Sequence, residues 1–230
     1  MKKLTLFFFL MGHILFAQVS PSKTAETYLA NIYDHLVGAN SSIYTGVRFI
    51  DNRAQQQTEG NYYYYQNDWT TGKLSINGQL YDSITMRYNL LLNQLVLLNH
   101  YTGESLVAQK ESIDYFELHN TKFIVRVKPA PGYYAQLSSG EVIPYVRYSC
   151  SANEKIVNGK LVQEMIVRKK YFLQKEDIFY PVKSRRSALK VFGSNANELK
   201  RNLRQAHINF SSQKEVALAA MSRYYDLLQK

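Results

Sequence analysis

The chain has 230 residues, 46% of them hydrophobic and 20% charged, with a formal net charge of +10. That balance excludes a disordered chain and suits one large domain with its own core. The one cysteine, Cys150, excludes an intramolecular disulfide framework.

At the start, Lys2 and Lys3 precede an apolar run, Leu4–Phe16, broken only by Thr5, Gly12 and His13, and Ala17 follows. A positive start, an apolar centre and a small residue make the plan of a cleavable secretory signal. The run is too short for a permanent span, which needs about 20 residues. Cleavage is expected between Ala17 and Gln18. That leaves a single domain over residues 18–230 with no transmembrane segment, and with no cysteine near the cut to take a lipid anchor. Ser20, Pro21 and Ser22 then open a predicted helix. Ala25, Tyr28, Leu29, Ile32, Tyr33 and Leu36 form its apolar face, and Gly38 ends it. His35 sits near its C-terminal end, where a partial positive charge is favoured.

From about residue 42 to 183, short runs rich in Tyr, Val, Ile, Phe and Thr alternate with Gly, Asn and Asp. Strands are expected at 43–50, 60–66, 73–76, 79–83, 84–90, 95–99, 104–109, 113–119, 122–128, 142–150, 161–171 and 178–183. Asn77-Gly78 is a strong hairpin signal, because both residues accept positive φ. Thr71-Gly72, Thr102-Gly103, Asn120-Thr121 and Asn158-Gly159 read as further turns. Such short connections require antiparallel neighbours. Ile84, Met86 and Tyr88, and again Phe123, Val125 and Val127, alternate with polar residues, so one sheet face meets a core. Pro129 and Pro131 break the pattern, and residues 133–139 read as a short helical turn. Tyr62 to Tyr65 stand together. As a strand, Tyr62 and Tyr64 face one way and Tyr63 and Tyr65 the other, so one pair packs inside while the other offers a platform for a sugar or a peptide. The plainer account is that Tyr is a strong strand former.

The tail reads as helical. Residues 184–192 form a short helix closed by Gly193. A second helix opens at Ser194 or Asn195 with Leu199, Leu203 and Ala206 on one side and Lys200, Arg201 and Arg204 on the others. Ser212 and Glu215 fit a capping box for a last helix whose expected buried stripe is Val216, Ala220, Tyr224, Leu227 and Leu228. The fold class is therefore α+β: a curved antiparallel sheet, a roll or partly open barrel, with an N-terminal helix and two to three C-terminal helices.

Chemistry-bearing patterns are sparse. His35, His100, His119, His207 and Cys150 have no metal-ligand spacing. No nucleophile elbow or phosphate-cradling loop occurs. Asp82, Glu104, Asp114 and Glu117 are scattered acids of the kind any strand-rich surface carries. Cys150 shares strand parity with Val142, Val146 and Tyr148, as a small core residue would. No catalytic residue, cofactor or metal is assigned. The charge, however, is uneven: residues 155–230 hold 16 Lys and Arg against 6 Asp and Glu.

The stretch from Gly72 to Tyr81, then Met86 to Asn89, Asp114 to Leu118 with Phe123, Tyr180 to Lys183, Leu189 to Phe192, Leu199-Lys200 and Arg223 to Leu228 resembles an uncharacterised family of exported proteins of Gram-negative bacteria. The resemblance covers most of the chain after the signal. It implies export to the periplasm or cell surface and, since that family has no established activity, carries no functional residues. Asp82-Ser83-Ile84 is similar to a short bacterial O-glycosylation acceptor pattern, although a plain turn-to-strand step is the simpler account. The helix–sheet–helix layout is similar to that of periplasmic lipoprotein carriers.

The expectation is an exported, non-enzymatic cell-envelope binding or structural protein. Its basic end, with Lys200, Arg201 and Arg204, would face an anionic envelope component or another envelope protein rather than nucleic acid. The alternative is a carrier of an apolar, lipid-like ligand; a hydrolase is the third reading.

Overall fold

The computed structural model describes residues 43–53 and 57–229. The expected signal, its Ala17–Gln18 cleavage point, the N-terminal helix and His35 lie outside the described residues.

Four two-residue turns set the hairpins. Asn77-Gly78, His119-Asn120, Asn158-Gly159 and Glu176-Asp177 all have positive φ at both positions, the geometry that matches the right-handed twist of paired strands. They join β3 (Thr70–Ile76) to β4 (Gln79–Asn89), β7 (Ile113–Leu118) to β8 (Thr121–Arg126), β10 (Val142–Val157) to β11 (Lys160–Lys175), and β11 to β12 (Ile178–Val182). The expected Asn120-Thr121 turn thus moves back by one residue, to His119-Asn120. With β1 (Val47–Arg48), β2 (Thr58–Glu59), β5 (Gln94–Leu98), β6 (Ser105–Val107) and β9 (Gly132–Gln136), the described residues form one sheet in the order β1-β6-β5-β4-β3-β7-β8-β9-β10-β11-β12. These neighbours pair antiparallel; β2 alone adds parallel to β11. Since β1 and β12 do not pair, the curved sheet is open.

Three local expectations are corrected. Thr71-Gly72 is no turn: Gly72 lies inside β3, and a Cβ there would stand 2.1 Å from the Glu117 carbonyl oxygen, so glycine lets two backbones approach. The two strands expected at 79–83 and 84–90 are one. Its register against β3 shifts between Gly72 and Leu74, with Ser83 at φ 60° in the bulge. Residues 133–139 do not form a helical turn, since β9 pairs with both β8 and β10. Tyr133 and Tyr134 are buried on its opposite faces, which removes the alternation that marks a half-exposed strand.

One face of the sheet holds the main core. Tyr88, Phe116, Phe123 and Tyr133 meet edge-on or stacked at centroid distances of 4.8–5.7 Å. Tyr64 adds its edge to Phe123 and Tyr148. Beyond Val146 and Tyr148 the same face continues through Val142 and Leu173. There it is covered by helices α1 (Arg185–Val191), α2 (Ala196–Gln205) and α3 (Lys214–Leu228). Two contacts at the end of β4 tie the sheet across its opening: Tyr63, from the segment after β2, bridges Asn89, and the Cys150 amide of β10 donates to the Leu90 carbonyl.

The last helix sits differently from its sequence pattern. Its buried residues are Ala217, Leu218, Met221, Ser222 and Tyr225, whereas Val216 and Leu227 are exposed. Polar groups explain this rotation. The Ser222 hydroxyl donates to the Val142 carbonyl, and Asp226 accepts from the Glu141 amide at 3.0 Å. Glu215 accepts from Lys169 at 2.7 Å, with the Tyr148 and Tyr171 hydroxyls at 3.4 Å. It is therefore not the partner of Ser212 in a cap; the helix starts at Gln213 with no side-chain cap. The capping box in this structure belongs to α1, where Ser184 and Ser187 satisfy each other's amides at 3.2 and 2.9 Å.

Candidate anion-binding surface

The basic residues of the tail are displayed by α1 and α2. Ala188 and Phe192 bury the inner side of α1, and Leu199 and Leu203 that of α2. With those positions committed to the core, helical spacing turns Arg185, Arg186 and Lys190 outward on α1 and Lys200, Arg201 and Arg204 outward on α2. Gly193, at φ 59°, turns the chain between them. Two adjoining clefts result. One, of about 550 Å³, lies between α1 and the start of α2 and is lined by Arg185, Arg186, Lys190 and Lys200 over Leu189 and Ala196. The other, of about 500 Å³, is lined by Arg185, Arg204 and His207 beside Phe210 and Asn209. Arg185 is common to both, and no acid lines either.

None of these cations has a carboxylate within 4 Å among the described residues; the ion pairs there are Arg48–Glu104, Lys155 with Glu59 and Glu164, and Lys169–Glu215. Uncompensated like charges repel one another, and an arriving anion relieves that repulsion. Of the three residues singled out from sequence, Lys200 and Arg204 fall into the two clefts and Arg201 into neither. Sequence reasoning missed Arg185, Arg186 and Lys190. The signal was present: a capped helix carrying Arg186 and Lys190 four residues apart puts both on one face.

Elsewhere, the chemistry-bearing residues have structural partners. Asp114 accepts from the Ser75 hydroxyl and the Gly78 amide, holding a hairpin turn. His100 meets Thr85 at 2.6 Å, and His119 lies against Tyr65 with ring centroids 4.3 Å apart. Cys150 is half-buried between two apolar clusters, and burial pushes its thiol pKa up, away from thiolate chemistry. Among the described residues no three His, Cys, Asp or Glu side chains converge as metal ligands, and no helix is long and apolar enough to cross a membrane.

The tyrosine run does not divide by strand parity. Tyr62 and Tyr63 are both buried and both donate to one Asp51 carboxylate oxygen, at 2.8 and 2.7 Å. Tyr64 enters the core and Tyr65, at φ 69°, is exposed. The Arg87 guanidinium lies between the Tyr63 and Trp69 rings, 4.3 and 4.2 Å from their centroids.

Comparison of the chain with protein-family models, with curated proteins and with solved structures finds no match.

Proposed function

We propose that this chain is an exported cell-envelope binding protein whose α1–α2 end docks on anionic headgroups at a membrane surface. The observation that carries this reading is the pair of acid-free clefts sharing Arg185, in the part of the chain that holds the excess positive charge. Clefts of this size admit small anionic groups between side chains, as a flat basic field does not. Arg forks and Lys ammonium groups both suit phosphate oxygens. The signal-like N-terminus supports placement outside the cytoplasm, where nucleic acid is not the competing polyanion.

Fractionation of the host envelope tests the proposal. Replacing Arg185, Lys200 and Arg204 by Glu should move the protein from the membrane fraction to the soluble fraction. Unchanged fractionation would remove the anionic-surface reading. Retained envelope association with lost binding to protein-free lipid would transfer the role to an acidic protein partner.

A further inference from the structure

A third opening lies at the β1–β6 edge, built by the sheet and its turns rather than by the helices. It is a groove of about 730 Å³, within the range of small-molecule sites. One wall is apolar, made by Val47, Phe49, Ile50, Leu92 and Val107. Three of these side chains are left in water: Val47 is 78% exposed, Ile50 66% and Leu92 49%. Lys110, in the turn before β7, and Tyr133, from β9, also line it.

Arg48, Asn93, Gln94, Gln109 and Glu111 complete its polar lining, and among the polar residues Lys110 and Tyr133 are unusual. Lys110 is half-buried and has no carboxylate within 4 Å among the described residues. Its ammonium lies 5.1 Å from the Tyr133 ring centroid, and burial pushes its pKa down, partly opposed by Glu111 and reinforced by Arg147. Tyr133 is 1% exposed, and its hydroxyl makes no hydrogen bond of normal geometry, although the Leu95 backbone is nearby. An apolar wall in water, one unpaired ammonium and one unsatisfied phenol together describe the complement of an amphiphile with a single anionic head.

We propose that this groove binds a fatty-acyl carboxylate, its chain along Val47, Ile50 and Leu92 and its carboxylate at Lys110 beside the Tyr133 hydroxyl. Of the other charged residues that line the groove, Arg48 is already held by Glu104 at 3.8 Å and Glu111 disfavours a second negative charge, which together select a monoanionic head over a phosphomonoester. The site is separate from the α1–α2 clefts, so it stands whether or not those bind an anion.

Calorimetric titration of the purified, delipidated chain tests it, with dodecanoate, dodecanol and dodecyl phosphate as probes. One dodecanoate should bind per chain, about tenfold tighter than dodecanol, as one charge-assisted hydrogen bond supplies. Lys110→Met should erase that difference and leave dodecanol unchanged. Leu92→Asp, at an exposed position that the fold does not need, should weaken both. Arg185→Glu should change neither. Absence of saturable dodecanoate binding, or binding that Lys110→Met and Leu92→Asp leave intact, would overturn the proposal. Tighter binding of dodecyl phosphate than of dodecanoate would overturn the assigned head group.

Discussion

Asp51 carries more of the structure than its place in an irregular segment suggests. Its carboxylate accepts from both Tyr62 and Tyr63, which pack against Met165 of β11. Asp51→Ala would leave two buried hydroxyls without their acceptor, a loss of about 1–3 kcal/mol in denaturant unfolding. Burial, then the hydrogen bond to Asp51, pushes the Tyr62 pKa up to about 12 from 10.0. Burial and then Glu215 push Tyr171 up to about 12 as well. Tyr63, Tyr88, Tyr133 and Tyr148 shift in the same direction, chiefly by burial. Above pH 10.0 the unfolded chain releases phenolic protons that the folded chain retains, so stability is whole below pH 10.0 and is lost as pH rises through about 12. Thermal melts across that window should fall steadily, and Tyr62→Phe should flatten the fall; a level profile would contradict the buried-phenol account. The residues from Tyr62 to Tyr65 invited a strand reading because Tyr favours strands. Their arrangement is set instead by a carboxylate earlier in the chain and a ring at His119, neither of which local pattern encodes.

Hairpins and helices were legible wherever one local rule decided them. Asn77-Gly78 and Asn158-Gly159 turn as their residue types require, and Leu199 and Leu203 bury as helical spacing requires. Legibility failed where tertiary contact overrode the local rule. Gly72 looks like a turn residue because what demands it is the Glu117 backbone on a neighbouring strand. Gly72→Ala should therefore cost about 1–3 kcal/mol, the cost of overpacking a site with no room, while Gly78→Ala meets no neighbour and leaves only its positive φ to be strained. The helix starts separate in the same way. Ser184→Ala should lose about 1 kcal/mol of stability because its hydroxyl caps α1. Ser212→Ala should be silent, since Glu215 is committed to Lys169 on β11. Equal effects of the two serine substitutions would contradict the assignment of the caps.

At the scale of the molecule, an open, curved antiparallel sheet followed by three helices accounts for the chain's division of labour. The sheet and the inner sides of the three helices make the core, and the outer sides of α1 and α2 present unneutralised charge. The charge asymmetry was visible in the sequence, and it drew attention to Lys200 and Arg204. The clefts were not visible, because they depend on the angle at which Gly193 sets α1 beside α2 and brings Arg185 within reach of both. The pairing of β2 was equally hidden: it meets β11 across about a hundred residues of chain. The measurement that tests the central claim most directly is sedimentation of the purified chain with phosphatidylglycerol vesicles and with phosphatidylcholine vesicles. Each basic residue near an anionic surface contributes about 1 kcal/mol. Binding should therefore be confined to the anionic vesicles, weaken with salt, and fall at least about a hundredfold when Arg185, Lys200 and Arg204 become Glu. Equal binding to both lipids, or anionic binding that the triple substitution leaves unchanged, would contradict it.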